Sequence, residues 1–588
     1  LTITLPEYGK AIQKWLDHGQ VEINPSFTTG RRGLPRFLGG FLSRVFDQNT
    51  GALLDEPCID SIIALRQLTL VFGKIYLPCS RAREKKAILG FLKCEQDVRQ
   101  FDAEISAKDF ADFKRVSNLL FRSLFTRMDS DIYYGEVLPK HGPGAVADKL
   151  TSNGKYRLKS WTRRLDEVFP SYEYLIPNLR FVEELDQVSI LEPGAEQPVK
   201  VVSVPKTLKT PRIIAIEPTC MQYTQQAIYR SFLVNFDRDE LLKKLIGFDD
   251  QVPNQDLARQ GSIDGLTATL DLSDASDRVS NQLVRAMLSD WPSLNRAVDA
   301  ARSRRADVPG HGVIRLAKFA SMGSALCFPI EAMVFTTLIF LGIERALNVT
   351  MTRDLLSKFS DSVRIFGDDL IVPEEFVRTT VDTLQHFGAV VGVDKSFWTG
   401  KFRESCGAEF FNGHDVSLVR VRQALPHTVA DATEVIATVE LRNLLFMRGY
   451  WKTASWLDKL LTGILRYFPA VAPTSSVLGR INSLGYQFET LDSSLHSPLV
   501  RGYVVKAKPP SDELVGAGAL LKCLLKLGED QESWSSHTPD IPLYQLPGTT
   551  LERGSTPWLH TKANDEQHLE RSGRPKRVSI KLGRHRPF

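Results

Sequence analysis

Within Val363-Arg364-Ile365-Phe366-Gly367-Asp368-Asp369-Leu370-Ile371-Val372, two β-prone runs flank a Gly-Asp-Asp. This reads as a hairpin with two adjacent carboxylates at or beside its tip. Neighbouring side chains on extended backbone point to opposite faces, so one aspartate should lead at a metal while the other supports it. Alone, Gly-Asp is ordinary turn chemistry. A second carboxylate, Asp271, follows the β-prone run Leu266-Thr-Ala-Thr-Leu270 and precedes Leu-Ser-Asp274-Ala-Ser276-Asp277. Helix capping accounts for Ser273, Asp274 or Ser276 but not for Asp271. Lys206, Lys209 and Arg212 recur at three-residue intervals on a connector framed by Pro205 and Pro211. Cations on a loop stiffened in this way make a triphosphate clamp or an exposed charged turn. Lys395, after Gly388-Ala-Val-Val-Gly-Val-Asp394, could donate a proton beside such a centre.

Together these residues suit two-metal nucleotidyl transfer, in which cations roughly 3.5–4 Å apart are bridged by carboxylates from separate strands. An all-oxygen donor set favours Mg²⁺, two ions with Mn²⁺ as a possible substitute, over zinc. Lysine and arginine would steady the triphosphate and protonate the leaving group.

Positioning these groups requires both strands and helices. Residues 1–130 read as mostly helical, as in Ser61–Leu68 and 110–121, where apolar residues recur at helical spacing. Residues 199–217 read as two strands joined by the basic loop. After Asp277 a helix is expected through Val279, Leu283, Val284, Met287 and Leu288. Ser321-Met322-Gly323 opens a further loop-to-helix junction, whose small residues could let a nucleic-acid backbone approach. A helix over roughly 375–387 and a second hairpin over 402–413 follow. Residues 430–470 are helical, with Leu441, Leu444, Leu445, Trp451, Trp456, Leu457, Leu460 and Leu461 as expected core. The stretch Lys155, Tyr156, Arg157, Lys159, Trp161, Arg163 and Arg164 mixes cations and rings, which suits an RNA groove or a solvated face.

Composition is that of an ordinary globular chain: 588 residues, 43% hydrophobic and 24% charged. Of the formal net charge of +5, more than all comes from the last eighteen residues, which carry seven Lys/Arg and no Asp/Glu. A nucleic-acid reading therefore rests on local patches, not bulk charge. Arg571, Arg574, Lys576, Arg577, Lys581, Arg584 and Arg586 read as an RNA-holding tail or a disordered end. Seven scattered cysteines, never spaced C-x-x-C, argue against a zinc site or disulfide framework and fit a reducing cytoplasm. The most apolar run, Ala332 to Ile343, is too short to span a bilayer, and no secretory signal is visible.

The segments VPKTLKTPRIIAIEP (204–218), TLDLSDASD (269–277), ASMG (320–323), FGDDLIVP (366–373) and FRESCG (402–407) resemble the replicase catalytic (beta) subunit of the levivirus-type, positive-strand RNA bacteriophages. The resemblance covers residues about 200–420. It implies an α+β right-hand polymerase fold with an antiparallel palm sheet and mostly helical fingers and thumb. The expected division is an N-terminal region with fingers over 1–265, a palm over 266–420 with a fingers insertion about 290–318, a thumb over 421–525, and a polar extension over 526–588. It further implies Asp271 and Asp368 as principal Mg²⁺ ligands with Asp369 in support. Lys206, Lys209 and Arg212 would contact the triphosphate, Asp277 the ribose 2′-hydroxyl, and Ser321 and Gly323 the templating pair. Lys395 becomes the general acid. Where many viral RNA polymerases carry Thr and Asn after the helix-start glycine, this chain has Cys327 and Glu331, so Asp277 and Glu331 would share a ribose hydroxyl with one of them protonated. The implied partners are single-stranded RNA template and product, ribonucleoside triphosphates, host elongation factors Tu and Ts and a host ribosomal RNA-binding protein, without a membrane, in the cytoplasm of an infected bacterium. A reverse transcriptase is the nearest rival, disfavoured by Phe366-Gly367 before the double aspartate and by polar Asp277 in place of a bulky gate. A non-catalytic RNA-binding protein that keeps the fold is the other.

Overall fold

The computed structural model describes residues 3–22, 34–207, 209–508, 513–535 and 577–588. The fold is α+β. At its centre lies a three-stranded antiparallel sheet in which Asp369–Pro373 is flanked by Thr267–Asp271 and Arg364–Phe366. Thr267, Ala268, Thr269 and Leu270 are all buried, as are Leu370 to Pro373. Continuous burial on both faces explains why these strands read as apolar runs rather than alternating ones.

Behind the sheet runs the helix Cys327–Leu347, buried around most of its circumference. Its uniform apolarity suits a core helix. The apolar run at 332–343 is thus part of a 21-residue helix, long and apolar enough by length and composition to cross a membrane, yet enclosed by the protein. The helix Ala107–Tyr133 packs on it, with Val116, Leu120, Leu124 and Met128 joining the same core.

The basic connector lies in a second sheet, ordered Arg212–Ile216, Val199–Val204, Arg305–Val308, Gly312–Arg315. The first two strands form the expected hairpin, closed at Val204 opposite Arg212. The last two lie within residues 290–318 and pair antiparallel with each other, and Arg305–Val308 joins Val199–Val204 in parallel. The helix Arg81–Glu104 covers this sheet through Phe91, packed with Val199, Val201, Ala215 and Ala306. The N-terminal helices Thr4–His18 and Ile59–Leu70 instead pack behind the hairpin Phe402–Ser405/Ala408–Phe411, where Trp15, Leu16 and Leu65 meet Phe397, Phe402 and Phe411.

Several local expectations are corrected. The helix after Asp277 is broken: Ala275–Arg278 is a single turn, Val279 is extended, and the Ser280 hydroxyl accepts from the Gln282 N–H at 3.0 Å to start Asn281–Leu288. Asp274 adopts left-handed backbone (φ 53°) and makes no side-chain cap. The stretch 155–164 is not an open groove. Trp161 is fully buried, Lys155 donates to the carbonyls of Gly142 and Gly144, and Arg164 forks onto Glu196 at 2.6 and 2.7 Å. Arg157 and Arg163 pair with Glu184 and Glu192. Lys155 and Arg164 thus serve backbone carbonyls and a buried acid, while Arg157, Lys159 and Arg163 stay at the surface, as the solvated-face alternative expects.

In the paired helices Ala432–Met447 and Trp451–Leu465, Leu445, Leu457 and Leu461 are buried, but Leu444, Trp451 and Trp456 are exposed. The end of the chain is not wholly a loose tail: Arg577–His585 forms a nine-residue antiparallel ladder with Pro498–Lys508. Arg571, Arg574 and Lys576 lie outside the described residues. All seven cysteines lie among the described residues and are free thiols there.

Candidate active site

Asp271 ends its strand directly opposite Asp369, the first residue of the neighbouring strand. Opposed residues of an antiparallel pair lie on one face, so register sets two carboxylates side by side. Phe366 pairs with Asp369, leaving Gly367-Asp368 as a two-residue hairpin loop. Gly367 has φ 63°, as the first position of such a tight turn requires. A Cβ there would lie 2.3 Å from the Phe328 ring, so the turn sits hard against the start of the central helix. Asp368 at the tip is exposed, whereas Asp369 is half-buried and its Oδ2 accepts from the Cys406 N–H at 3.2 Å. The 402–411 hairpin thus restrains Asp369 and leaves Asp368 open.

The other edge of the Asp271 strand carries Lys395. Thr269 exchanges backbone hydrogen bonds with Phe397, the Gly392 N–H donates to the Asp271 carbonyl at 2.7 Å, and the Asp271 N–H donates to the Ser396 hydroxyl at 3.1 Å. A side chain at Gly392 would come within 3.1 Å of Asp271 Oδ2. This seam brings Lys395 Nζ to 2.6 Å from Asp271 Oδ1. Burial works against the ammonium, but Asp271 outweighs it and holds Lys395 above the ordinary lysine value. Burial raises Asp271, opposed by Lys395 and reinforced by Asp368. Burial, then Asp368 and Asp271, push Asp369 up to about 6.

Of the three clamp cations, Lys206 lies close enough to Asp368 and Asp271 to feel their charge. Its pKa is lowered by burial and by Arg212 and Lys395, against the pull of Asp368 and Asp271. Lys209 points elsewhere, pairing with Glu7 at 2.9 Å. Gly323 stands at φ 132°, and the Ala215 N–H donates to the Met322 carbonyl at 2.9 Å, lashing the clamp strand to residues 321–323. A Cβ at Gly323 would fall 2.0 Å from the Ala215 carbonyl oxygen. The space left by this glycine is therefore filled by the protein's own backbone, and the helix begins only at Cys327. The Ser321 hydroxyl is buried without a hydrogen-bond partner among the described residues.

Asp277 bonds through Oδ1 to the ammonium of Lys318 at 3.0 Å. Glu331, one turn into the central helix, is buried, and its carboxyl is raised far above the usual range by burial, then Asp368 and Asp277. Of the two acids expected to share a hydroxyl, Glu331 is the one whose burial works against ionisation. Sequence reasoning missed Lys318, Gly392 and Ser396; the available signal for Lys318 was a single cation inside the apolar run Leu316-Ala-Lys-Phe-Ala320.

The donors suit a hard divalent cation: all are carboxylate oxygens, crowded enough that Asp369 resists ionisation. Among the described residues no three His, Cys, Asp or Glu side chains converge at ion-holding distance. Asp271, Asp368 and Asp369 are the residues that would hold such an ion.

Residues 190–440 match the family model described as RNA replicase, beta-chain. The RNA-directed RNA polymerase beta chain of Escherichia phage MS2 is 34% identical over 230 residues, 39% of each chain. The corresponding subunit of Qbeta virus (strain MX1) is 34% identical over 40% of this chain and 37% of its own, and that of Enterobacteria phage SP 29% over 59% and 58%. The matched stretch thus spans about two-fifths of the first of these relatives' length. Among solved structures, one titled "RdRp complex" covers 80% of this chain and 45% of its own at 11% identity and a TM-score of 0.43, a likeness too low to carry an argument. Every aspartate, lysine and glycine just placed around the hairpin falls within 190–440, the segment of this chain that matches the RNA replicase beta-chain family.

Proposed function

We propose that the chain is an RNA-dependent RNA polymerase that copies a single-stranded RNA phage genome from ribonucleoside triphosphates. The observation that carries this reading is the register of Asp271 against Asp369, with Asp368 exposed at the hairpin tip and Lys206 within range of their charge, inside the matched segment. Asp271 and Asp368 would hold the divalent ions, two Mg²⁺ in this reading, with Asp369 steadied from behind by Cys406. When bound, such ions lower the pKa of an attacking hydroxyl and neutralise the leaving group.

The chain's own residues supply the rest. Lys206 and Arg212 orient the triphosphate from a stiffened loop. Asp277 accepts from the ribose 2′-hydroxyl, and the protonated Glu331 stands beside it without adding charge. Lys395 carries a proton against Asp271 and, released from it, can pass that proton to the departing pyrophosphate. Lys209, tied to Glu7, belongs to the outer end of the clamp. Ser321 and Gly323 border the templating pair, with Gly323 acting by keeping the clamp strand close. The division into fingers, palm, thumb and extension, the assembly with host elongation factors Tu and Ts and a ribosomal RNA-binding protein, and action in the cytoplasm of an infected bacterium belong to the same proposal.

The test is incorporation of labelled ribonucleotides on a single-stranded RNA template by the full chain, with and without host factors, against Asp368→Asn. Divalent-dependent RNA product from the wild type and none from the variant is expected. Product from deoxynucleotides alone would indicate a reverse transcriptase. Tight RNA binding without product, host factors present, would indicate a binding protein.

A further inference from the structure

Lys318 is a fully buried lysine on the segment joining the fingers insertion to residues 320–323. Its ammonium contacts Asp277 Oδ1 at 3.0 Å and Glu95 Oε1 at 3.5 Å, and lies 3.4 Å from the centre of the Phe91 ring. The backbone around it is pinned to the turn that carries Asp277: the Phe319 N–H donates to the Val279 carbonyl at 2.8 Å, and the Asn281 N–H to the Ala317 carbonyl at 3.1 Å. Glu95, from the helix Arg81–Glu104, closes the frame by accepting from the Ala317 N–H through its other oxygen at 2.7 Å. Arg302 holds the carbonyls of Leu316, Lys318 and Phe319.

One ammonium shared by two carboxylates on a ring face is an expensive way to fill a core, because an apolar side chain of similar volume is often neutral or stabilising there. What such a group supplies is direction. It fastens Asp277 by one oxygen, and Oδ2 has no hydrogen-bond partner among the described residues. A carboxylate held in this way presents its free oxygen along a fixed line and remains an acceptor.

We propose that Lys318 is a positioning residue for sugar selection, holding Asp277 so that its free oxygen accepts from a ribose 2′-hydroxyl. This rests on the polymerase reading. A deoxyribonucleotide offers no hydroxyl there, so discrimination depends on how well Asp277 is aimed. Glu95 and Phe91 act one step further out, fixing the ammonium itself.

The experiment measures kcat/KM for a ribonucleotide and its 2′-deoxy counterpart on one RNA template, using the full chain with the host proteins it retains. In Lys318→Met the ribose preference is expected to fall by about tenfold or more, the worth of a hydrogen bond to a charged group, with restoration in Lys318→Arg. The double variant Asp277→Asn/Lys318→Met removes the ammonium together with the Asp277 charge, so that only Glu95, which keeps its bond from the Ala317 N–H, loses a cation if the single variant fails to fold. Its preference is expected to equal that of Asp277→Asn alone, since Lys318 acts only through Asp277. Unchanged preference in folded Lys318→Met, or a double variant less selective than Asp277→Asn, would overturn the inference and leave the polymerase reading intact. Absence of RNA-templated incorporation by the wild type with host factors present would overturn both.

Discussion

Replacing Gly323 with alanine should damage catalysis more than folding. The new Cβ would lie 2.0 Å from the Ala215 carbonyl oxygen and 3.0 Å from its carbon, and both are backbone atoms that cannot swing aside. Restoring ordinary contact requires the clamp strand and residues 321–323 to part by roughly 1 Å, and displacements of that size can cost on the order of 10²-fold in rate. The parting loses the 2.9 Å bond from the Ala215 N–H to the Met322 carbonyl, worth about 1 kcal/mol, and φ 132° adds about 1–3 kcal/mol of strain for a residue with a side chain. Arg212 begins that strand and Lys206 lies in the loop that leads to it, so the triphosphate would be held off the aspartates. The assay pairs thermal unfolding with kcat and KM for a ribonucleotide on an RNA template. A control is Gly265→Ala, where φ is 75° but nothing lies within 4 Å of the new methyl. That variant should lose about 1 kcal/mol of stability and keep its activity. Wild-type kinetics in Gly323→Ala, or equal activity losses in both variants, would refute the claim that Gly323 sets the spacing between clamp and site.

Other perturbations probe the remaining assignments. Burial pushes Glu217 up to about 7, with the Ser303 hydroxyl donating to it at 2.5 Å. The folded chain therefore keeps a proton that the unfolded chain releases above about 4.5, so stability should fall as pH rises through that window, by about 3 kcal/mol at most. Glu217→Gln should flatten this dependence, as read from melting temperatures at pH 5 and pH 8. Arg164→Ala leaves Glu196 buried and unpaired and should cost about 3–5 kcal/mol, while RNA affinity of the folded fraction, measured at fixed salt, stays at the wild-type value. A specific loss of affinity would restore the groove reading of residues 155–164. Lys206→Met should raise KM for the triphosphate about tenfold or more with a smaller effect on kcat, whereas Lys209→Met, which removes a partner of Glu7, should change neither by more than about twofold.

The sequence by itself determined the two strands and the turn that carry the acids. A β-prone run must alternate or bury its side chains, Gly367 must take up the tight loop, and Asp271 has no capping role to explain it. Those are local constraints, legible over five to ten residues. The basic connector was legible for the same reason, since two prolines and three cations leave little freedom. Which cation faces the site was not: Lys206 and Lys209 are three residues apart, and only the N-terminal helix bearing Glu7 separates their roles.

The basic, aromatic stretch at 155–164 left a groove and a solvated face open because a charge pattern looks the same whether its partners are phosphates, water or, as for Arg164, a buried carboxylate. Likewise the helix expected after Asp277 breaks at Val279 because residues 317–319 pair with that segment from about forty positions away. Lys318, Gly392 and Ser396 escaped notice because each acts through a neighbour distant in sequence. Local chemistry could name the acids and the cations, but only the packing of distant segments decided their spacing, their protonation and which oxygen of Asp277 is left free.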